Sequence, residues 1–204
     1  MKLPCREQLT NFFKMTDFRS QLEMAQDLIL SVLPDLISLQ QFAKVKNELD
    51  SSIGHFIKFI ESEDGKSPEK PILFQEMFGF SDDTLLLVYD LGVSLIGRGE
   101  MKNAIIIFTF LTTLAPHVSS YWVALGVCFQ ETNRHQEGII ALSAAKFLEP
   151  TDPGPLFYNI ESYLVLKETE KANLEVEELK NVIKALSSQS QEEWRHKIKS
   201  LMIS

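Results

Sequence analysis

The chain has 204 residues, 45% of them apolar and 24% charged, and 20 Lys and Arg set against 28 Asp and Glu leave a formal net charge of −8. That length suits one generous domain or two small ones, and the composition excludes disorder as the default state. The excess of acids argues against nucleic acid as a partner, because a duplex binder needs surplus cations to displace condensed counterions.

Cys5 and Cys128 make neither a disulfide framework nor a zinc set, which points to a reducing compartment. The opening residues Met1 to Glu7 lack the apolar core of a signal peptide. The longest apolar stretch, Ala104 to Ala115, ends at Pro116 and falls far short of the roughly 20 residues that span a bilayer. A cytoplasmic protein without direct membrane insertion is the expectation.

Residues 1–75 read as an N-terminal helical segment. Phe12, Phe13, Phe18, Leu22, Leu28, Leu33, Leu36, Phe42, Val45, Leu49 and Phe56 suggest two or three helices, with Pro34 at the start of one of them. Glu61 to Pro71 is polar and carries two prolines, so it reads as a linker or exposed loop.

The next stretch is poor in charge. Residues 85–150 hold only five acids and four bases, about half the density of the whole chain, so they are either buried or present apolar surface to something else. They also repeat at a spacing of 34: Leu91-Gly92 returns as Leu125-Gly126, Leu95 as Phe129, Ala104 as Gly138, Phe108 as Leu142, Leu111 as Ala145 and Pro116 as Pro150. This period is the signature of a tetratricopeptide repeat, a helix–turn–helix unit that stacks on copies of itself. Gly92 and Gly126 lack a Cβ and let the second helix of each unit approach, with the small Ala104 and Gly138 across the contact. Trp122, Leu91, Leu125, Phe129 and Phe108 are expected to fill the space between helices, and Pro116 and Pro150 to end the second helices.

A third copy is looser. Tyr163, Ala172, Val176 and Leu179 fit the pattern, whereas Ile160 and Asn159 stand where the glycine and leucine are expected. Its first helix is well marked, with Asp152 as cap and Pro153 in the first turn. The expected fold is all-α: three tetratricopeptide repeats over 84–186, the third degenerate, then a C-terminal capping helix over 187–204 that presents Trp194, Ile198 and Leu201 on one face.

Chemistry is not evident. His55, His117, His135 and His196 share no metal-ligand spacing with one another or with the cysteines. Gly92, Gly97 and Gly99 are followed by no Lys-Ser/Thr, and helix packing and an inter-helix turn account for them. No nucleophile elbow or zinc-protease motif is present, and Cys128 beside Phe129 reads as a small buried apolar side chain. The expectation is a protein that is no enzyme and takes no metal or cofactor. What stacked hairpins offer is a concave wall, lined by positions 2, 5, 9 and 12 of each first helix. Here that wall is Leu86, Tyr89, Val93 and Ile96 in the first unit. In the second it is Ser120, Val123, Val127 and Gln130, and in the third Gly154, Phe157, Glu161 and Leu164. It is mostly apolar and lacks the Lys or Arg that would hold a charged peptide end. Permanent cover by the N-terminal helices or a loop is the alternative to an open groove.

The run Ala104-Ile105-Ile106-Ile107-Phe108, then Tyr121-Trp122-Val123-Ala124-Leu125-Gly126-Val127-Cys128-Phe129-Gln130, resembles the translocator chaperones of bacterial type III secretion, the class II, LcrH/SycD-like proteins. Glu149-Pro150-Thr151-Asp152-Pro153-Gly154-Pro155-Leu156-Phe157, followed by Glu161 and Ala172, extends the likeness over about residues 84–185. The resemblance implies a bacterial cytoplasmic chaperone whose three-repeat groove holds an extended segment of a hydrophobic secreted client, a translocator, before export. Tyr89, Val93 and Ile96 match the family's first-unit groove positions, although the family usually has aromatic residues where Val93 and Ile96 stand. Another secreted component as client, or a scaffolding role in a secretion complex, are the alternatives. The N-terminal segment exceeds the family's short helical arm. It is open to dimerisation, a second client or cover of the groove, and a homodimer through these helices is counted among the expected partners.

Overall fold

The protein is described from a computed structural model covering residues 16–62 and 74–201. Cys5, Phe12, Phe13 and most of the expected linker lie outside the described residues. Within them the secondary structure is helical throughout: α1 (Thr16–Val32), a 3-10 turn (Leu33–Asp35), α2 (Leu39–Ser62), α3 (Phe74–Phe78), α4 (Asp82–Gly97), α5 (Met101–Leu114), α6 (Ser119–Glu131), α7 (His135–Leu148), α8 (Pro153–Val165), α9 (Thr169–Ile183) and α10 (Ser188–Leu201). The chain divides into two compact units, Met1–Ala115 and Pro116–Ser204.

In the first unit, α1 buries Leu22, Ala25 and Ile29 at helical spacing and packs against α5. The 3-10 turn carries Pro34 in its first positions and buries Leu33. On α2, Val45, Leu49, Ser52 and Phe56 form the buried face, and the Phe56 ring stacks on Phe78 of α3 at 4.7 Å. The start of α4 is tied to α2: Ser81 accepts from the Thr84 N–H, while its own N–H and hydroxyl each donate to Glu48 at 2.9 Å. Lys44 adds an exposed ion pair with Asp83 at 2.8 Å. The hairpin of α4 and α5 closes over Leu91, Leu95, Ile107, Phe108 and Leu111, all fully buried. A Cβ on Gly92 would stand 2.6 Å from the tip of the Phe108 ring, so the contact requires glycine.

The second unit repeats this hairpin twice and adds α10. Leu142 of α7 takes the place of Phe108, and a Cβ on Gly126 would lie 2.6 Å from its Cγ and 3.3 Å from the Gly138 carbonyl. In the third hairpin Ile160 and Val176 stand at the equivalent positions and share a buried cluster with Leu156, Ala172, Leu179, Ile183 and Ile198. Asp152 accepts from the Gly154 N–H at 2.8 Å, with Pro153 in the first turn of α8. Lys146 of α7 reaches Glu175 and Glu178 of α9 at 3.0 and 3.1 Å, which joins consecutive second helices. Trp122 differs from the core role expected of it. It is half-buried, and its indole N–H donates to the Pro116 carbonyl at 2.8 Å, bracing the chain where it enters α6.

The backbone keeps the period better than the side chains do. Gly99, Asn133 and Lys167, each 34 residues from the next, have φ of 74, 60 and 61°. After each, an amide returns to the preceding helix: Glu100 to Leu95, Arg134 to Phe129 and Glu168 to Tyr163, at 2.9, 2.8 and 2.8 Å. One left-handed turn closes every hairpin, which satisfies carbonyls that the helix end leaves free.

Asn159 breaks the pattern from the inside. It is fully buried where the other repeats have Leu91 and Leu125, and neither its Nδ2 nor its Oδ1 has a hydrogen-bond partner. A buried amide without partners costs about 1–3 kcal/mol. Asn159→Leu is expected to stabilise the protein by about 2 kcal/mol, read as a higher midpoint in thermal or urea denaturation; an unchanged or lower midpoint would contradict this account.

Candidate functional site

The residues expected to line a wall fall on the first helix of each hairpin, and their exposure differs. On α4, Leu86 and Val93 are 58% and 45% exposed, so the described N-terminal helices leave this face open. Tyr89 and Ile96 are half-buried beside them, and the Tyr89 ring sits edge-on to Phe108 at 5.8 Å. The core side chain that fills the glycine gap therefore also supports the largest side chain of this face.

In the second unit, Val123 and Val127 are half-buried on α6. Gln130 is engaged by the fold: its Nε2 donates to the Tyr158 carbonyl at 2.5 Å and to the Ser162 hydroxyl at 2.6 Å. His135 approaches the same hydroxyl at 3.4 Å. Phe157 meets Trp194 of α10 at 5.7 Å and Tyr158 at 5.8 Å, both edge-on, so the C-terminal helix covers part of this position. Leu164 is 39% exposed. With Val165, Ile160, Ile198 and Leu201 it lines an open cleft of about 620 Å³ between α8, α9 and α10. The cleft was not visible in the sequence, because α10 reaches it across a turn whose geometry no residue motif announces.

Among these residues the charged group is Glu161, on α8. Burial, and then the carboxylate of Glu131, hold its pKa above the ordinary range. The Tyr158 phenol is raised as well, by burial and then by Glu161, Asp152 and Glu131. A hydrogen-bond donor or a cation brought to Glu161 would relieve both effects.

Burial pushes the Cys128 thiol up to about 12, which leaves almost no thiolate at neutral pH. Among the described residues no three His, Cys, Asp or Glu side chains come together to hold a metal ion, and no helix is long and apolar enough to cross a membrane. The geometry provides apolar faces on α4, α6 and α8, with one carboxylate in need of a partner.

No family model matches the chain, and no curated protein does. Solved structures do. The type III secretion translocator chaperone SycD of Yersinia enterocolitica aligns with a TM-score of 0.60 at 21% identity, over 66% of this chain and 100% of that one. The chaperone PcrH, known from Pseudomonas aeruginosa, in complex with the chaperone binding region of PopD, aligns at 0.56 and 21% identity, over 61% and 96%. A chain of the CopN–Scc3 complex aligns at 0.61 and 20% identity, over 71% and 84%. The chain has the tetratricopeptide-repeat fold of these secretion chaperones.

Proposed function

We propose that this protein is a non-enzymatic chaperone of bacterial type III secretion that holds an extended apolar segment of a translocator in the cytoplasm before export. In one unit the exposed face of α4, and in the other the faces of α6 and α8, are the surfaces that take apolar client residues. The observation that carries this reading is the exposure of Leu86 and Val93 on α4, at repeat positions that point away from their own hairpin core. The fold shared with SycD and PcrH supports it, since SycD has been solved with a peptide of the translocator YopD and PcrH with the chaperone binding regions of PopD and PopB. Full burial of each such side chain contributes about 1.5–3 kcal/mol. Several of them can offset the cost of ordering a flexible segment. The half-buried Glu161 favours a client that offers a donor at this point.

Co-expression with the translocators of the same secretion system tests the reading. A translocator that is insoluble alone is expected to become soluble and to co-purify with this protein as a defined complex. If every translocator partitions identically with and without it, the chaperone reading fails.

A further inference from the structure

The outer face of α2 carries a pattern that the first unit does not use. Leu39, Ala43, Lys46, Asp50, Ile53 and Ile57 follow one another at steps of four and three residues, so they form a single stripe along the helix. This stripe lies away from the buried Val45, Leu49 and Phe56. Leu39 is 85% exposed, Ile53 38% and Ile57 48%. Ala43 is exposed too, and beside the stripe Gly54 has no atom within 4 Å of where a Cβ would stand. Such small residues allow another backbone to approach closely. At the centre Lys46 and Asp50 face outward, paired with each other at 2.5 Å.

The order of these residues is its own mirror image about position 48. Leu39 and Ile57 lie equally far from it, as do Ala43 and Ile53, and Lys46 and Asp50. Two copies of the helix laid antiparallel would place Leu39 against Ile57, Ala43 against Ile53 and Lys46 against Asp50, and the two-fold axis would repeat each contact. Parallel pairing in register would set lysine against lysine and aspartate against aspartate. The charges thus select one direction and one register, while the apolar ends supply the burial.

We propose that α2 is a self-association surface, pairing antiparallel with the α2 of a second copy of this chain about a two-fold axis level with position 48, between Lys46 and Asp50. This surface is separate from the wall on α4, α6 and α8 and does not depend on the chaperone reading. Sedimentation equilibrium of the full chain tests it with a charge swap. The unaltered protein is expected to be dimeric. Lys46→Asp alone places four carboxylates at the centre, and Asp50→Lys alone places four amines there. Each should weaken the dimer on the order of ten- to a hundredfold, because like charges set opposite one another in an interface are costly. Mixing the two single variants should restore association as a heterodimer, and the double variant K46D/D50K should dimerise like the original. Both positions are exposed, so helical circular dichroism should stay unchanged throughout. A monomeric parent protein would overturn the proposal. So would a dimer indifferent to either single reversal, which would mean that another surface holds it and that α2 serves a client or another part of the chain. Failure of the mixture to associate would overturn the antiparallel register.

Discussion

Phe108→Ala is expected to destabilise the protein by about 3–5 kcal/mol, as truncation of a buried aromatic does when its surroundings relax only partly. Phe108 is fully buried, and its ring tip occupies the space that the missing Cβ of Gly92 leaves open. Alanine would lose the transfer free energy of the ring and leave a void between α4 and α5. The second unit shows what a milder change should do, because it fills the equivalent gap over Gly126 with Leu142. Phe108→Leu should therefore cost distinctly less than Phe108→Ala, and Gly92→Ala in the parent background should be destabilising through overpacking, by about 1–3 kcal/mol. Urea denaturation followed by circular dichroism orders the three variants. The same ring supports Tyr89 edge-on, a contact worth about 0.5–1.5 kcal/mol in such pairs. Loss of Phe108 should then weaken client binding even below the denaturation midpoint. If Phe108→Leu proves as damaging as Phe108→Ala, the interchange of glycine-gap fillers between repeats is wrong.

Much of this fold was legible because the repeat imposes the same physical demand every 34 residues. Gly92 and Gly126 announce a close helix crossing, and the side chains that fill it lie one fixed offset away, at Phe108 and Leu142. Pro116 and Pro150 predict helix ends, and the second helices stop at Leu114 and Leu148, because the residue before a proline is driven out of helical conformation. Asp152 with Pro153 marked the start of α8, and the cap forms as read. The turn between paired helices was read at Gly99 alone, since its left-handed position passes to asparagine and then to lysine in the next two repeats, and lysine has no preference for it. Which side chains of the first helices stand free could not be read from the sequence. Gln130 engages a carbonyl 28 residues away, and Phe157 meets a tryptophan on the last helix. Such contacts depend on where later helices lie, which local periodicity does not encode. The anchoring of Ser81 by Glu48 is of the same kind, a polar contact across 33 residues that no cap motif signals.

Val93→Glu and Val127→Glu, made singly and together, are expected to give the largest loss of client binding with the least change in fold. Val93 is 45% exposed on α4, and Val127 is half-buried on α6, so a longer charged side chain can reach water in the free protein. When an apolar client segment covers the position, that route closes and the carboxylate must be desolvated without a partner. The penalty for a buried unpaired ion is several kcal/mol, and it adds to the lost contact of the valine itself. At position 127 the new carboxylate would also stand one helical turn from Glu131, whose charge already raises the pKa of Glu161. Each single substitution should therefore weaken binding by at least about tenfold, and the pair should abolish co-purification with the translocator. Ile140→Glu is the control: this side chain is 69% exposed on α7, a second helix, outside the proposed wall. Its substitution should leave both binding and helical circular dichroism unchanged. Binding that survives the double change while Ile140→Glu destroys it would move the client from the first helices to the second helices of the repeats. Binding that survives all three changes would remove the client from the apolar faces altogether.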